Sequence, residues 1–212
     1  MSRHWKRGIS LVVVLLPAVV FAAEPAKVGT VKGVISVAGR PTGDAVVSVE
    51  GISQEHLKSQ ISNLKSKKTQ KALMDQRDLK FVPRVLAVLV GTAVEFPNND
   101  KTFHNVYSSS EAKKFDLGLY APGKSRSAKF DKAGVVKILC NVHPSMEAYV
   151  VVKSHPNYGA ADSRGNYSLS GVPLGKFRLE VWHPDFGTKV LPFELVRDGE
   201  VLALDVEMKT QR

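Results

Sequence analysis

The chain has 212 residues, a formal net charge of +10 and a sequence pI of about 9.7. Its length allows one large or two small domains with real cores, and its charge favours an acidic protein, an anionic lipid or nucleic acid as a partner. The single cysteine, Cys140, excludes an intrachain disulfide, so it is a buried hydrophobe, a free thiol or a ligand.

The N-terminal residues have the features of a secretory signal peptide. A basic start with Arg3, Lys6 and Arg7 precedes an apolar run over residues 9–20 and the small Ala22. The run is shorter than the roughly 18 residues that a membrane-spanning helix needs, so cleavage near Ala22 is expected rather than anchoring. We therefore predict that residues 1–22 are a signal peptide and that the protein is periplasmic, with no membrane span after cleavage and no nucleic-acid partner.

Two different patterns follow the signal peptide. Residues 28–51 alternate apolar and small side chains around a turn, which predicts strands within an N-terminal segment, 23–53, that packs with the C-terminal domain. Further on, Leu57, Ile61 and Leu64 recur at helical spacing, and five lysines crowd residues 54–73. We interpret residues 54–78 as a basic helical or flexible insertion, most simply a solvated surface excursion.

The rest of the chain consists of short β-rich runs. Between residues 79 and 153 these runs are separated by Gly, Pro, Asn and Asp, which predicts a β-sandwich. Residues 154–212 contain further strands joined by Gly and Pro turns. The predicted fold is therefore all-β, with two sandwiches and one short basic helix.

Four side chains form a candidate metal site. Cys140, His143 and Met146 lie in CNVHPSM, directly after the predicted strand VVKILC, and His104 lies beside another predicted strand in FPNNDKTFHNVYSSS. Two imidazoles, a thiolate and a thioether are the donor set of a blue-copper site. The thioether argues against structural zinc, and a Cys–His nucleophile would lack a third orienting group, so both are minor alternatives.

These two segments resemble those of the cupredoxin family, the plastocyanin- and amicyanin-like blue copper proteins. The resemblance implies a Greek-key sandwich with one type 1 copper per chain. By the same resemblance, His104 and His143 bind copper through ring nitrogens, Cys140 through its thiolate and Met146 as the weak axial ligand. Asn105 matches a family position that fastens the two ligand loops and places a backbone amide near the thiolate; an ordinary turn asparagine is the alternative.

The segments outside the copper sandwich carry a second resemblance. GVISVAGRPTGDAVVSVEG and DSRGNYSLSGVPLGKFRLEVWHP resemble the two parts of a carboxypeptidase regulatory-like, transthyretin-type sandwich, which implies that the copper domain is inserted within it. The overall arrangement resembles the methylamine utilisation protein group. His155, Trp182 and His183 are expected to be structural or exposed, and a second metal site at His183 is the weaker hypothesis.

The function implied by the cupredoxin resemblance is electron transfer. We expect a non-enzymatic carrier of single electrons between a redox donor and acceptor, such as an acidic cytochrome or dehydrogenase. The alternative is a module that buffers or delivers periplasmic copper, since copper delivery also uses Cys, His and Met. A β-sandwich that has kept the ligands but binds no metal is the weakest hypothesis.

Overall fold

The computed structural model describes residues 27–65 and 72–209. The predicted signal peptide, residues 1–22, lies outside the described residues, as do residues 66–71 of the predicted insertion. Strands make up most of what is described and there is one helix among those residues, which confirms the predicted all-β class. No helix in the described ranges is long and apolar enough to cross a membrane.

Nineteen strands and one helix are described. In chain order the first are β1 (Val28–Val37), β2 (Arg40–Pro41), β3 (Val46–Glu50), α1 (Gln54–Lys65), β4 (Ala72–Leu73), β5 (Asp75–Arg77), β6 (Lys80–Val82), β7 (Val85–Leu89), β8 (Thr92–Pro97) and β9 (His104–Ser110). These are followed by β10 (Lys113–Tyr120), β11 (Ser125–Phe130), β12 (Gly134–Leu139), β13 (Glu147–Lys153), β14 (Tyr158–Ala160), β15 (Asn166–Pro173), β16 (Gly175–His183), β17 (Gly187–Leu195), β18 (Val201–Ala203) and β19 (Val206–Met208).

The flanking sandwich is built from the two ends of the described chain. Its first sheet centres on β1, which pairs with β15 antiparallel and with β18 and β19 parallel. Its second sheet has the order β14-β3-β16-β17. Because β1 and β3 each pair with later strands, the early and late segments share one core, which includes the fully buried Val31, Val47 and Val181.

The central sandwich lies between these segments in the sequence and carries the candidate metal ligands. A five-stranded sheet of order β10-β9-β12-β13-β7 packs on a three-stranded sheet of order β11-β8-β4. In β12 the fully buried Val136 and Ile138 alternate with less buried residues, as expected for a strand with one face in the core. Phe96 and Phe130, both fully buried, fill the same core from the facing sheet.

Strand β13 is buried on both of its faces, which explains its continuous apolar run. Ala148, Val150 and Val152 pack in the central core, whereas Val151 packs against Val46 of the flanking sandwich. Strands covered on both faces are hydrophobic without alternation. The strand that leaves the ligand loop is thus also the strand that contacts the flanking sandwich.

The segment predicted as a helical or flexible insertion, residues 54–78, differs from that description in its second half. Helix α1 ends at Lys65, but β4 pairs with β8 of the central sandwich, with Ala72 beside Val94. Met74 is completely buried in the central core. The burial of this apolar side chain draws residues 72–77 into the central sandwich, which therefore begins before the predicted boundary at residue 79.

Candidate metal centre

Three strand ends bring the predicted ligands together. His104 is the first residue of β9, Cys140 directly follows β12, and the loop that carries His143 and Met146 ends at β13. Leu139 pairs both with β9 and with β13, so the loop begins beside the strand that carries His104. The Met146 amide donates to the His143 carbonyl, 2.9 Å away, which closes the loop in a tight turn.

The donor atoms of three predicted ligands form a small triangle. His104 Nδ1 lies 3.0 Å from His143 Nδ1, and Cys140 Sγ lies 4.0 and 3.9 Å from these two nitrogens. The point in the plane of these three atoms that is equally far from all of them lies about 2.1 Å from each. This distance matches the length of metal–imidazole bonds in proteins. The residues present therefore fit a bound transition metal ion without rearrangement.

The site is buried except at one ligand. His104, Cys140 and Met146 are almost completely inaccessible, whereas His143 is partly exposed. Met146 lies in the same apolar core cluster as Cys140. A buried thiolate with one imidazole at the surface is an arrangement that excludes water from the sulfur while leaving a contact point for another molecule.

A carboxylate holds the imidazole of His104. His104 Nε2 lies 3.0 Å from Asp100 Oδ2, so a proton on Nε2 leaves the Nδ1 lone pair free to face the metal position. The backbone amides of Leu79 and Lys101 also donate to this carboxylate. The Leu79 amide and then His104 lower the pKa of Asp100 to about 2. Our sequence interpretation missed Asp100, although an acid four residues before a candidate ligand was a usable signal.

A second polar residue missed from the sequence shapes the loop before His104. Asn98 is completely buried, and its side-chain amide donates to the carbonyls of Thr102 and Tyr120 at 2.9 and 3.2 Å. Its side-chain oxygen accepts from the Asp100 amide at 3.1 Å. Asn98 therefore fixes the turn that places the Asp100 carboxylate behind His104.

Asn105 has one of its two predicted contacts. Its backbone amide points at Cys140 Sγ, 3.5 Å away, as the resemblance implied. Its side chain, however, donates to Asp116 of β10 at 2.6 Å rather than to the loop that follows Cys140. The side-chain oxygen of Asn105 is buried and has no hydrogen-bond partner. The side-chain contact thus fastens β9 to β10, where Asp116 also accepts from the Gly118 amide.

The remaining candidates, His155, Trp182 and His183, lie away from this triangle. His155 Nε2 contacts Glu50 at 3.3 Å, and Trp182 packs edge-on against Tyr149. His183 is buried and its Nδ1 accepts from the backbone amide of the turn after β16. Within residues 27–65 and 72–209, the group of three metal-ligating side chains found is His104, Cys140 and His143.

One family of known proteins matches the part of the chain that carries this triangle. A model of the copper-binding proteins of the plastocyanin/azurin family matches residues 68–153. Residues 72–153, the described part of this match, have the fold of a cupredoxin domain. The match begins before the predicted boundary at residue 79, in agreement with the pairing of β4 in the central sandwich. No curated protein matches the chain.

Solved structures similar to this chain include several copper proteins. A purple cupredoxin from Nitrosopumilus maritimus is 25% identical over 39% of this chain and 100% of its own, with a TM-score of 0.36. A copper-containing nitrite reductase from Thermus scotoductus is 23% identical over 42% of this chain and 24% of its own, with a TM-score of 0.40. Amicyanin from Paracoccus versutus is 17% identical over 42% of this chain and 87% of its own, with a TM-score of 0.37.

The two further resemblances, to the methylamine utilisation group and to a carboxypeptidase regulatory-like sandwich, concern the residues around the cupredoxin domain. The family match does not extend to these residues. Both resemblances therefore stay predictions.

Proposed function

We propose that the cupredoxin domain binds one type 1 copper ion through His104, Cys140, His143 and Met146 and carries electrons one at a time. The observation that supports this proposal most directly is the buried triangle of two Nδ1 atoms and one Sγ atom. Copper in such a site supplies a one-electron couple, Cu(II)/Cu(I). Four protein donors leave no open position for a substrate, so the proposal is an electron carrier and not an enzyme.

The residues around the donors favour fast electron transfer because they hold the donors in place. Asp100 fixes the ring of His104, and the Asn105 amide points at the thiolate of Cys140. The paired strands β9, β12 and β13 hold both ends of the ligand loop. Ligands that stay in place in both oxidation states reduce the reorganisation that accompanies each transfer.

The proposed contact surface for partners lies around His143. Three exposed apolar side chains lie next to ligands or to the strand that carries His104: Phe103, Leu119 and Val142. The exposed Lys101 and Lys124 belong to the loops beside this patch, and the whole chain is basic. Apolar contact with a cationic surround favours an acidic redox protein, since opposite charge speeds the encounter.

The proposed location is the periplasm. The support is the sequence of residues 1–22, with its basic start and short apolar run. A lone cysteine in an oxidising compartment has no partner for an intrachain disulfide, which is compatible with its use as a ligand.

The test is the visible absorption spectrum of the copper-loaded protein. We expect an intense thiolate-to-copper charge-transfer band that disappears in Cys140→Ser. His155→Gln is the matched control, because it removes a buried imidazole outside the site and is expected to keep the band. A colourless protein that binds copper tightly would contradict the electron-transfer proposal and favour copper buffering or delivery instead.

A further inference from the structure

Arg84 joins the cupredoxin domain to the flanking sandwich. It lies directly before β7, and its Nη1 and Nη2 donate to the two carboxylate oxygens of Asp185, each at 2.8 Å. Asp185 lies in the turn between β16 and β17 of the flanking sandwich. Asp44, which precedes β3, adds a second carboxylate at 3.5 Å. A two-pronged arginine–carboxylate pair of this kind fixes orientation as well as distance.

The same guanidinium reaches the base of the ligand loop. Arg84 Nη2 lies 3.7 Å from Oε1 of Glu147, the residue that directly follows Met146. The Glu147 carboxylate also accepts from Lys137 Nζ at 2.7 Å and from the Tyr149 hydroxyl at 2.9 Å. In the sheet, Glu147 pairs with Leu139, which directly precedes Cys140. The network therefore contacts Glu147 directly. Glu147 and its sheet partner Leu139 are the two residues that flank the loop 140–146.

Backbone and aromatic contacts support the same connection. The Tyr149 amide donates to the Arg84 carbonyl at 2.8 Å, so the start of β7 is fixed against β13. The Tyr149 ring packs edge-on against Trp182 of the flanking sandwich, with centroids 5.4 Å apart. A displacement of the flanking sandwich would thus be transmitted to β13, close to Met146.

We propose that Asp185 and Arg84 are positioning residues for the copper site: through Glu147 they hold the base of the ligand loop and set the position of the Met146 sulfur. This inference rests on the proposed copper function. The axial sulfur tunes the reduction potential of such sites, so the flanking sandwich would adjust the potential of a metal that it does not touch.

The network acts on geometry more than on stability. Arg84, Glu147 and Asp185 are all partly exposed to solvent. Exposed ion pairs contribute little to the free energy of folding, because water screens them and the side chains lose freedom. Loss of the network is therefore expected to leave the fold intact while it changes the position of the loop.

The experiment uses the full copper-loaded protein and two variants that break the same contact with opposite changes of charge. Asp185→Ala removes a negative charge and Arg84→Met removes a positive charge. We measure the relative intensities of the visible charge-transfer bands, the electron paramagnetic resonance spectrum of Cu(II), and the midpoint potential. If Met146 moves, both variants change the two spectra in the same sense. Both then change the one-electron equilibrium at least threefold, or about 28 mV at 59 mV per tenfold change.

A purely electrostatic effect predicts a different result. Removal of a negative charge raises the potential and removal of a positive charge lowers it, with no change in either spectrum. Opposite potential shifts with unchanged spectra would therefore overturn the positioning role. The double variant adds a further test: its effect should equal that of either single variant, because the contact is lost only once.

Three comparisons complete the design. Asp131 directly follows β11 and forms an exposed ion pair with Lys129. Asp131→Asn removes this carboxylate and should leave both spectra unchanged. Arg84→Lys keeps the positive charge but cannot make the paired hydrogen bonds to Asp185. If its spectra resemble those of Arg84→Met, the geometry of the contact matters. If its spectra resemble those of wild type, the positioning role is contradicted. This variant decides the question if Arg84→Met does not fold. A wild-type protein without the charge-transfer band would overturn the proposed function, whereas a coloured wild type with unaltered variants would overturn this inference alone.

Discussion

At the scale of single residues, Asp100 contacts a predicted ligand although our sequence interpretation did not include it. Its carboxylate accepts from two backbone amides and lies 3.0 Å from Nε2 of His104. We expect Asp100→Asn to weaken Cu(II) binding by roughly 10–100-fold, as for other residues that hold a ligand imidazole. The midpoint potential should rise, because a nearby negative charge stabilises Cu(II) more than Cu(I). Competition with a chelator and redox titration measure the two effects.

The control for Asp100→Asn is Glu111→Gln. Glu111 lies in the turn between β9 and β10, at the far end of β9 from His104, and pairs with Lys132 on the surface. The Glu111→Gln variant loses one negative charge at a residue that contacts no ligand. Equal affinities and potentials in the two variants would mean that Asp100 only shapes its loop.

At the scale of elements, local patterns predicted most strands but not the start of the cupredoxin domain. The alternation in β12 and the ligand spacing in CNVHPSM are visible in the sequence, because they arise between neighbouring residues. Strand β4 has two residues and follows a lysine-rich stretch, so nothing local marks it. Its pairing with β8 and the burial of Met74 depend on residues distant in sequence. The contact of Asn105 with Asp116 was hidden for the same reason.

The burial of Met74 can be tested by comparing the effect of its truncation on stability with that of its exposed neighbour Leu73. Met74→Ala removes a completely buried side chain from the central core, and we expect it to lower the free energy of unfolding by about 2–5 kcal/mol. Leu73→Ala is the matched control: Leu73 is 44% exposed, so its loss should change that free energy by less than about 0.5 kcal/mol. Chemical denaturation measures both. Similar small effects in the two variants would place residues 72–74 outside the core.

At the scale of the whole molecule, a charged cluster connects the two sandwiches at the end of β13. Lys153 Nζ lies 2.9 Å from Glu50 and 3.1 Å from Glu180, both on strands of the flanking sandwich. His155 Nε2 contacts the second oxygen of Glu50 at 3.3 Å. The hydrogen bond from His155 and the contact with Lys153 hold the pKa of Glu50 well below its usual value. The cluster complements the apolar contact of Val46, Val85 and Val151.

This lowered pKa predicts how stability depends on pH. Because Glu50 has a lower pKa in the folded than in the unfolded protein, its contribution is fully present above the unfolded value, about 4.3. It is lost progressively as the pH falls towards the folded value, since protonation then removes the contacts with His155 and Lys153. We expect Glu50→Gln to cost roughly 1.5–3 kcal/mol at pH 7, the range for hydrogen bonds to charged groups. The difference from wild type should shrink below about pH 4.3.

Denaturant unfolding curves between pH 7 and pH 2 measure this difference. Glu194→Gln is the control, because Glu194 is exposed on β17 and its loss should give a curve parallel to wild type. A constant gap between Glu50→Gln and wild type down to pH 2 would show that the carboxylate is not the group whose protonation loosens the contact. Since β13 joins this cluster to the ligand loop, a copper-loaded Glu50→Gln protein that keeps the wild-type visible spectrum at pH 7 would confine the loosening to the Lys153 end of the strand.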